Sequence, residues 1–327
     1  MKVFTHFGRN YPYDPLRNLD FNFSSNPAVN FFYGGGVHRK IDVPEYERDG
    51  KIDFESGLPW NLASSAEQEI NVLLTCEYPQ EWLFESNDGL IHMREREFDR
   101  ILTIEPTLVE NRNRQLGMEK YQYVFLPTSA KRVPTNFHKT NDVFFSGHLL
   151  GDRYPLHSQI IQPILEKYQN NSRVVSGEGA SGGSGISYDE KLQANAQSKI
   201  SIVYNHQIVF ESTMDRATQI SDTISLGEDT TGNHSHGQLK YRTFEAFLSK
   251  TVVLCYEDSH NLIADWATPG EHFLYYSSAE ELDSKIDHVL NHYDDYQDMI
   301  ESSHKHALEN FTTEAFFNKF LKDLKWE

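Results

Sequence analysis

Cysteine is nearly absent from this chain: there are two, Cys76 and Cys255. Each sits inside a short apolar run, the setting of a buried reduced thiol, which excludes a disulfide-built scaffold. Long apolar stretches are also missing, and none approaches the roughly 20 residues a membrane helix needs. The start, MKVFTHFGRN, lacks the apolar centre of a secretory signal. These absences predict a cytoplasmic protein with no integral membrane segment. Positive charge is scarce, with 30 basic side chains against 48 acidic ones and a formal charge of −18. A field of that sign repels phosphate backbones and anionic surfaces, so nucleic acid is not expected as a partner. No Asp-x-Asp occurs anywhere, so a metal-bridged diphosphate is not expected. His234 and His236 have no third ligand close in sequence, and neither a metal nor a cofactor is expected.

What is present is a rhythm of short buried strands and amphipathic helices. A chain of 327 residues, 38% hydrophobic and 13% aromatic, is long enough for two domains with separate cores. Lys2 to Phe7, Ile70 to Cys76, Arg100 to Ile104 and Tyr121 to Leu126 are apolar runs ending in polar or proline signals, as strands of a parallel sheet do. Asp142 to Gly147, Arg173 to Ser176, Lys199 to Tyr204, Thr251 to Cys255 and Glu271 to Tyr276 continue the series. Helical periodicity lies between them, and Ser277 or Ser278 with Glu280 or Glu281 predicts a capping box. The expected class is α/β. AKRVPTNFHKT, Ala130 to Thr140, has linker composition, which places domain limits at 1–138 and 139–309 with a closing helix at 310–327.

The most informative stretch is Gly237 to Tyr256. A polar segment ends where Phe244, Phe247 and Leu248 recur at helical spacing, and a short apolar strand follows. The N-terminus of such a helix lies at the carboxyl edge of a parallel sheet, where open α/β sheets bind ligands. Lys240 and Arg242 add positive charge to a helix end that already favours anions. Glu245, one turn on, is suited to accept paired hydroxyls such as those of a ribose. The same Arg242 and Glu245 also fit an i, i+3 ion pair on a solvated face. Elsewhere, His6 at the carboxyl end of the first strand and Glu77 after the second fit a catalytic base, or a structural histidine and a capping carboxylate. The segment 206–236 is polar and long, and reads as a lid over the ligand.

The runs KYRTFEAFLSKTVVLC and PGEHFLYYSSAEELDSKIDHVL, with the helical tail to Phe311, resemble the nucleotide-sugar-binding half of group 1 GT-B glycosyltransferases. The likeness is greatest to the spore-maturation-type branch, with its R-x-x-E-A before a strand and its P-G-E-H-F-L-Y-Y. It covers the second half of the chain. The resemblance implies two Rossmann-like domains facing across a cleft, the final helix returning to the first domain. It implies transfer of a sugar from a nucleoside-diphosphate sugar to a carbohydrate or other hydroxyl acceptor. Glu245 then matches the donor-ribose glutamate, Lys240 and Arg242 stand near the diphosphate, and Gly147, Arg153 and Asn205 join the donor site. Gly147 and Arg153 equally fit a helix start with a capping arginine. Two positions depart from the branch: Gly237 stands where many relatives carry a second glutamate, and Ser249-Lys250 replaces the usual small residue plus glycine. An inactive binding or assembly protein of the same fold, or a nucleotide-sugar epimerase, remains an alternative.

Overall fold

In the computed structural model, residues 3–6, 28–34, 69–75, 99–104, 106–128, 130–147, 156–175, 186–209, 227–228, 234–258 and 260–320 are described. The fold is mixed α/β with parallel sheets, and the contacts divide it into two compact units.

The first unit is built on β1 (Val3–His6), β2 (Ala28–Gly34), β3 (Glu69–Thr75), β4 (Arg100–Thr103) and β5 (Tyr121–Tyr123). They lie side by side in chain order, every pair parallel. Continuous burial of Val72, Leu74, Ile101, Leu102, Val124 and Phe125 follows from the apolar runs of β3, β4 and the end of β5. Helix α1 (Pro106–Leu116) follows β4, and its Asn113 side chain accepts from the N–H of Lys120 and of Tyr121, closing the turn into β5. β2 has no counterpart among the strand signals read from the sequence.

The second unit carries a five-stranded parallel sheet of β6 (Asn141–Ser146), β7 (Ser172–Val175), β8 (Ser198–Val203), β12 (Val252–Tyr256) and β13 (Leu274–Tyr276). Its spatial order is β13-β12-β8-β6-β7. The chain thus builds outward from β6 to β7, then reverses to β8. The resulting order, 2-1-3-4-5, has its topological switch point between β6 and β8, where sheets of this kind bind ligands. Three short strands, β9 (His206–Val209), β10 (Gly227–Glu228) and β11 (His234–Gly237), form a separate antiparallel sheet. Strand structure therefore occupies part of the segment read as a lid.

Helices cover this sheet. Leu156–Ile161 is a π-helical turn that runs into α2 (Gln162–Lys167). The sequence pattern placed Ile160 with Leu156 and Ile164 on the buried face. The wider turn advances the phase by one residue, so Ile161 is buried and Ile160 only partly so. Helix α3 (Tyr188–Ala196) starts with a complete capping box between Ser187 and Glu190. Helix α4 (Tyr241–Leu248) is buried from Thr243 to Leu248 on all sides, not along one stripe. Ahead of α5 (Ala279–Asn291), Ser278 caps Glu281 N–H, while the Glu281 carboxylate reaches back to the N–H and hydroxyl of Ser277. Helix α6 (Gln297–Asn310) packs on α4, and α7 (Thr313–Phe320) ends the described chain. The end of α7 belongs to the first unit, where Phe320 lies 5.6 Å from Phe125.

The departure at Ser249-Lys250 has a structural account. Lys250 takes the left-handed conformation, φ 51°, that a glycine would adopt here. Its carbonyl accepts from Lys139 Nζ at 2.6 Å, and its ammonium reaches Glu301 at 2.6 Å. The end of the segment read as a linker is thereby tied to the second unit, and burial there pushes Lys139 down to about 7.

His272 and His304 are buried, and that burial lowers both imidazoles below the ordinary 6.5. For a base lowered in the folded state, the unfolded chain binds more protons as pH falls through 6.5, so stability declines there. The melting temperature is expected to be lower at about pH 5.5 than at about pH 7.5, with a smaller drop in His304→Gln. Equal drops in the two proteins would remove His304 from the explanation.

Candidate functional site

The switch point brings together three chain segments. β6 leads into Gly147, β8 leads into Tyr204 and Asn205, and α4 begins beside both. Asn205 makes that meeting rigid. Its backbone carbonyl accepts from Gln238 N–H at 3.1 Å. Its side-chain oxygen accepts from Lys240 N–H at 2.9 Å and from the Thr243 hydroxyl at 2.8 Å. Lys240 is the N-cap residue and provides no side-chain cap of its own, so a residue 35 positions away in sequence takes that role. Asn205 thus serves to position the helix start.

Arg242 turns back over the strand ends. Its guanidinium carbon lies 4.4 Å from the centroid of the Tyr204 ring, a cation–π contact. It also presses on Gly147: a Cβ at that position would collide with Nη1 and approach Cζ and the Tyr204 hydroxyl at 3.1 Å each. Gly147 is therefore the residue that leaves space for this arginine. Gly147→Ala is expected to push Arg242 off the Tyr204 ring, weakening binding of the diphosphate that the resemblance implies at least about tenfold, the scale of one charge-assisted bond, and to strain the backbone as well, because φ 157° is a conformation an L side chain rarely adopts. Titration of nucleoside diphosphates into both proteins checks it, and equal affinities would refute the packing argument.

Glu245 is completely buried, and its Oε2 pairs with Lys191 Nζ of α3 at 2.5 Å. The i, i+3 pairing with Arg242 that the spacing allowed is not formed. Lys191 is itself almost fully buried, and burial pushes its ammonium pKa down, helped by the charge of Arg242 and opposed by Glu245. Among the described residues, two buried atoms here have no hydrogen-bond partner: Arg242 Nη1 and Glu245 Oε1. A buried donor or acceptor left in this way is costly until a partner completes it.

Of the site residues named from the sequence, Gly147, Asn205, Lys240 and Arg242 come together at the switch point, with Glu245 one turn along α4. The Lys240 ammonium donates to the Gln238 side chain. Glu77 and Arg153 lie outside the described residues, and of His6 only the backbone, in β1, is described. Sequence reasoning missed Lys191 and Tyr204. For Lys191 a signal existed: with Leu192, Asn195 and Ala196 it forms an i, i+1, i+4, i+5 set, all buried. Among the described residues no group of three or more His, Cys, Asp or Glu is placed to hold a metal ion, and no helix is long and apolar enough to cross a membrane.

Residues 147–322, which include four of the five strands of the second sheet and helices α2 to α7, match the family described as Glycosyl transferase-like. The chain belongs to that family. The solved structures similar to it include Anabaena HepE in complex with UDP, at 10% identity, with 98% of each chain covered and a TM-score of 0.51. TarM is similar at 9% identity over 90% of this chain and 54% of its own, with a TM-score of 0.45. Sucrose-phosphate synthase from Thermosynechococcus elongatus is similar at 10% identity over 89% and 71%, with a TM-score of 0.46. This chain spans about half the length of TarM. HepE thus shares its fold with this chain over nearly the full length of both. No curated protein matches it.

Proposed function

We propose that this protein is a GT-B glycosyltransferase of the spore-maturation-like branch that moves a sugar from a nucleoside-diphosphate sugar to a hydroxyl acceptor. The observation that carries the proposal is the pair of orphaned atoms on α4. Arg242 Nη1 needs an anionic acceptor, and one turn away Glu245 Oε1 needs a hydroxyl donor. A ribose diphosphate supplies both at that separation along a helix. Both atoms lie out of solvent reach, so the ligand must displace their cover to meet them.

In this reading the charge that builds on the departing diphosphate is met by Arg242, Lys240 and the start of α4, without a bridging metal. Gly147 and Asn205 shape that site, and Arg153 adds a cation to it. The first domain, residues 1–138, holds the acceptor, with His6 or Glu77 as base. Residues 139–309 hold the donor, and the tail 310–327 returns to the first domain. The protein acts in the cytoplasm.

The test is incubation with UDP-sugars, the HepE complex making uridine the first base to try, followed by the guanosine and adenosine series. Tight binding of a nucleoside diphosphate with sugar release to an acceptor or water is expected. Absence of binding to every one of them overturns the proposal. One observation favours a second reading: Gly237, in β11 opposite His206, leaves no carboxylate where many relatives place one. A binding or assembly protein that kept the nucleotide site would show affinity without transfer, and an epimerase would interconvert the donor sugar with no acceptor present.

A further inference from the structure

The Lys191–Glu245 pair joins two helices that the sequence separates by 54 positions. Its surroundings hold it firmly. The Ser187–Glu190 box fixes the start of α3 one residue before Lys191. Near the other end of α3, Asn195 accepts from Ser201 of β8, and Ser201 in turn accepts from Thr251 at 2.9 Å. On α4, Ser249 donates to the Glu245 carbonyl at 2.7 Å. Neither helix can shift easily against the other, so the ammonium has a fixed address.

We propose that Lys191 is a positioning residue for the ligand's sugar hydroxyls, binding Oε2 of Glu245 so that Oε1 is turned to receive them. This rests on the nucleotide-sugar reading above. A carboxylate anchored at one oxygen has its plane and its second oxygen defined. Without that bond the Glu245 carboxylate is free to rotate, and Oε1 loses its aim. Arg242 does not substitute: it faces the Tyr204 ring and Gly147. Two other cations beside α3 are engaged elsewhere, Arg132 on Asp189 at 3.4 Å and Lys139 on the Ala196 and Lys250 carbonyls.

Preference for ribose over 2′-deoxyribose reads this role directly. Titration of UDP and 2′-deoxy-UDP into the full-length protein should show at least tenfold tighter binding of the ribonucleotide. In Lys191→Met that preference should fall to about one to twofold, with the affinity for the deoxynucleotide nearly retained. Because Lys191→Met leaves a lone carboxylate buried, the same measurement is made on Glu245→Gln and on the double variant, in which both members of the ion pair are neutral. If Lys191 acts through Glu245, adding Lys191→Met to Glu245→Gln changes neither affinity. A folded Lys191→Met that keeps the full ribose preference overturns the proposal, as does a double variant that binds UDP more weakly than Glu245→Gln. A wild-type protein that binds no nucleoside diphosphate at all overturns the functional reading itself, which the variants alone cannot do.

Discussion

Glu245→Ala is expected to destabilise the fold by about 3–5 kcal/mol, the scale of a buried ion pair broken from one side. Lys191 is nearly as buried as its partner, so the truncation strands an ammonium that burial already disfavours. The loss comes from that uncompensated charge more than from the pair's own attraction. A double variant, Lys191→Met with Glu245→Leu, should therefore recover most of the stability, since apolar groups of similar volume often replace buried ion pairs without penalty. Urea unfolding of the two singles and the double measures all three. A single-variant loss below about 1 kcal/mol, typical of surface pairs, would show that water reaches the pair. The same result explains why alanine is a poor probe of ligand binding at this position: it perturbs the fold and the site together.

Arg242 should behave in the opposite way. Arg242→Gln is expected to weaken binding of UDP by about 1.5–3 kcal/mol, the range for hydrogen bonds to charged groups, which is roughly ten- to a hundredfold or more in Kd. Its effect on folding should stay within about 1 kcal/mol, because the variant loses one cation–π contact but also removes a buried donor with no partner. Calorimetric titration with melting curves on the same samples separates the two quantities. If affinity holds while stability falls, Arg242 is a structural arginine that packs Tyr204 and Gly147, and the anion site lies elsewhere. The pair of variants thus divides α4 into a residue that holds the protein together and a residue that waits for a ligand.

Much of this architecture was legible because parallel strands are buried on both faces and read as plain apolar runs. β3, β4, β6, β8 and β12 fall within a residue or so of where those runs predict them. β13 is shorter than Glu271 to Tyr276, since the turn through Thr268 and Gly270 takes up its first residues. β2 was not legible, because AVNFFYG carries an asparagine inside and glycines after it, and only its neighbours on either side make it a central strand. β9 and β11 were hidden for a different reason: their residues, such as His-Ser-His, are polar, and their pairing is fixed by partners far along the chain.

At the site, local chemistry was readable and long-range pairing was not. The helix start, its two cations and Glu245 follow from spacing. That Glu245 faces Lys191, that Asn205 caps α4 and that Gly147 makes room for Arg242 depend on which strands become neighbours. The 2-1-3-4-5 order decides that, and no window of sequence contains it.

Cys255 gives the second unit a built-in clock. Its thiol lies fully buried on β12 beneath the Asn205 amide, and burial pushes its pKa well up, so neither access nor thiolate is present for reaction. In a Cys76→Ser background, the rate at which a disulfide reagent captures this sulfur times the opening of the strand that sits beside the switch point. A ligand that seals the site should slow that capture in proportion to its occupancy, which makes one native atom a sensor of binding that needs neither label nor known acceptor.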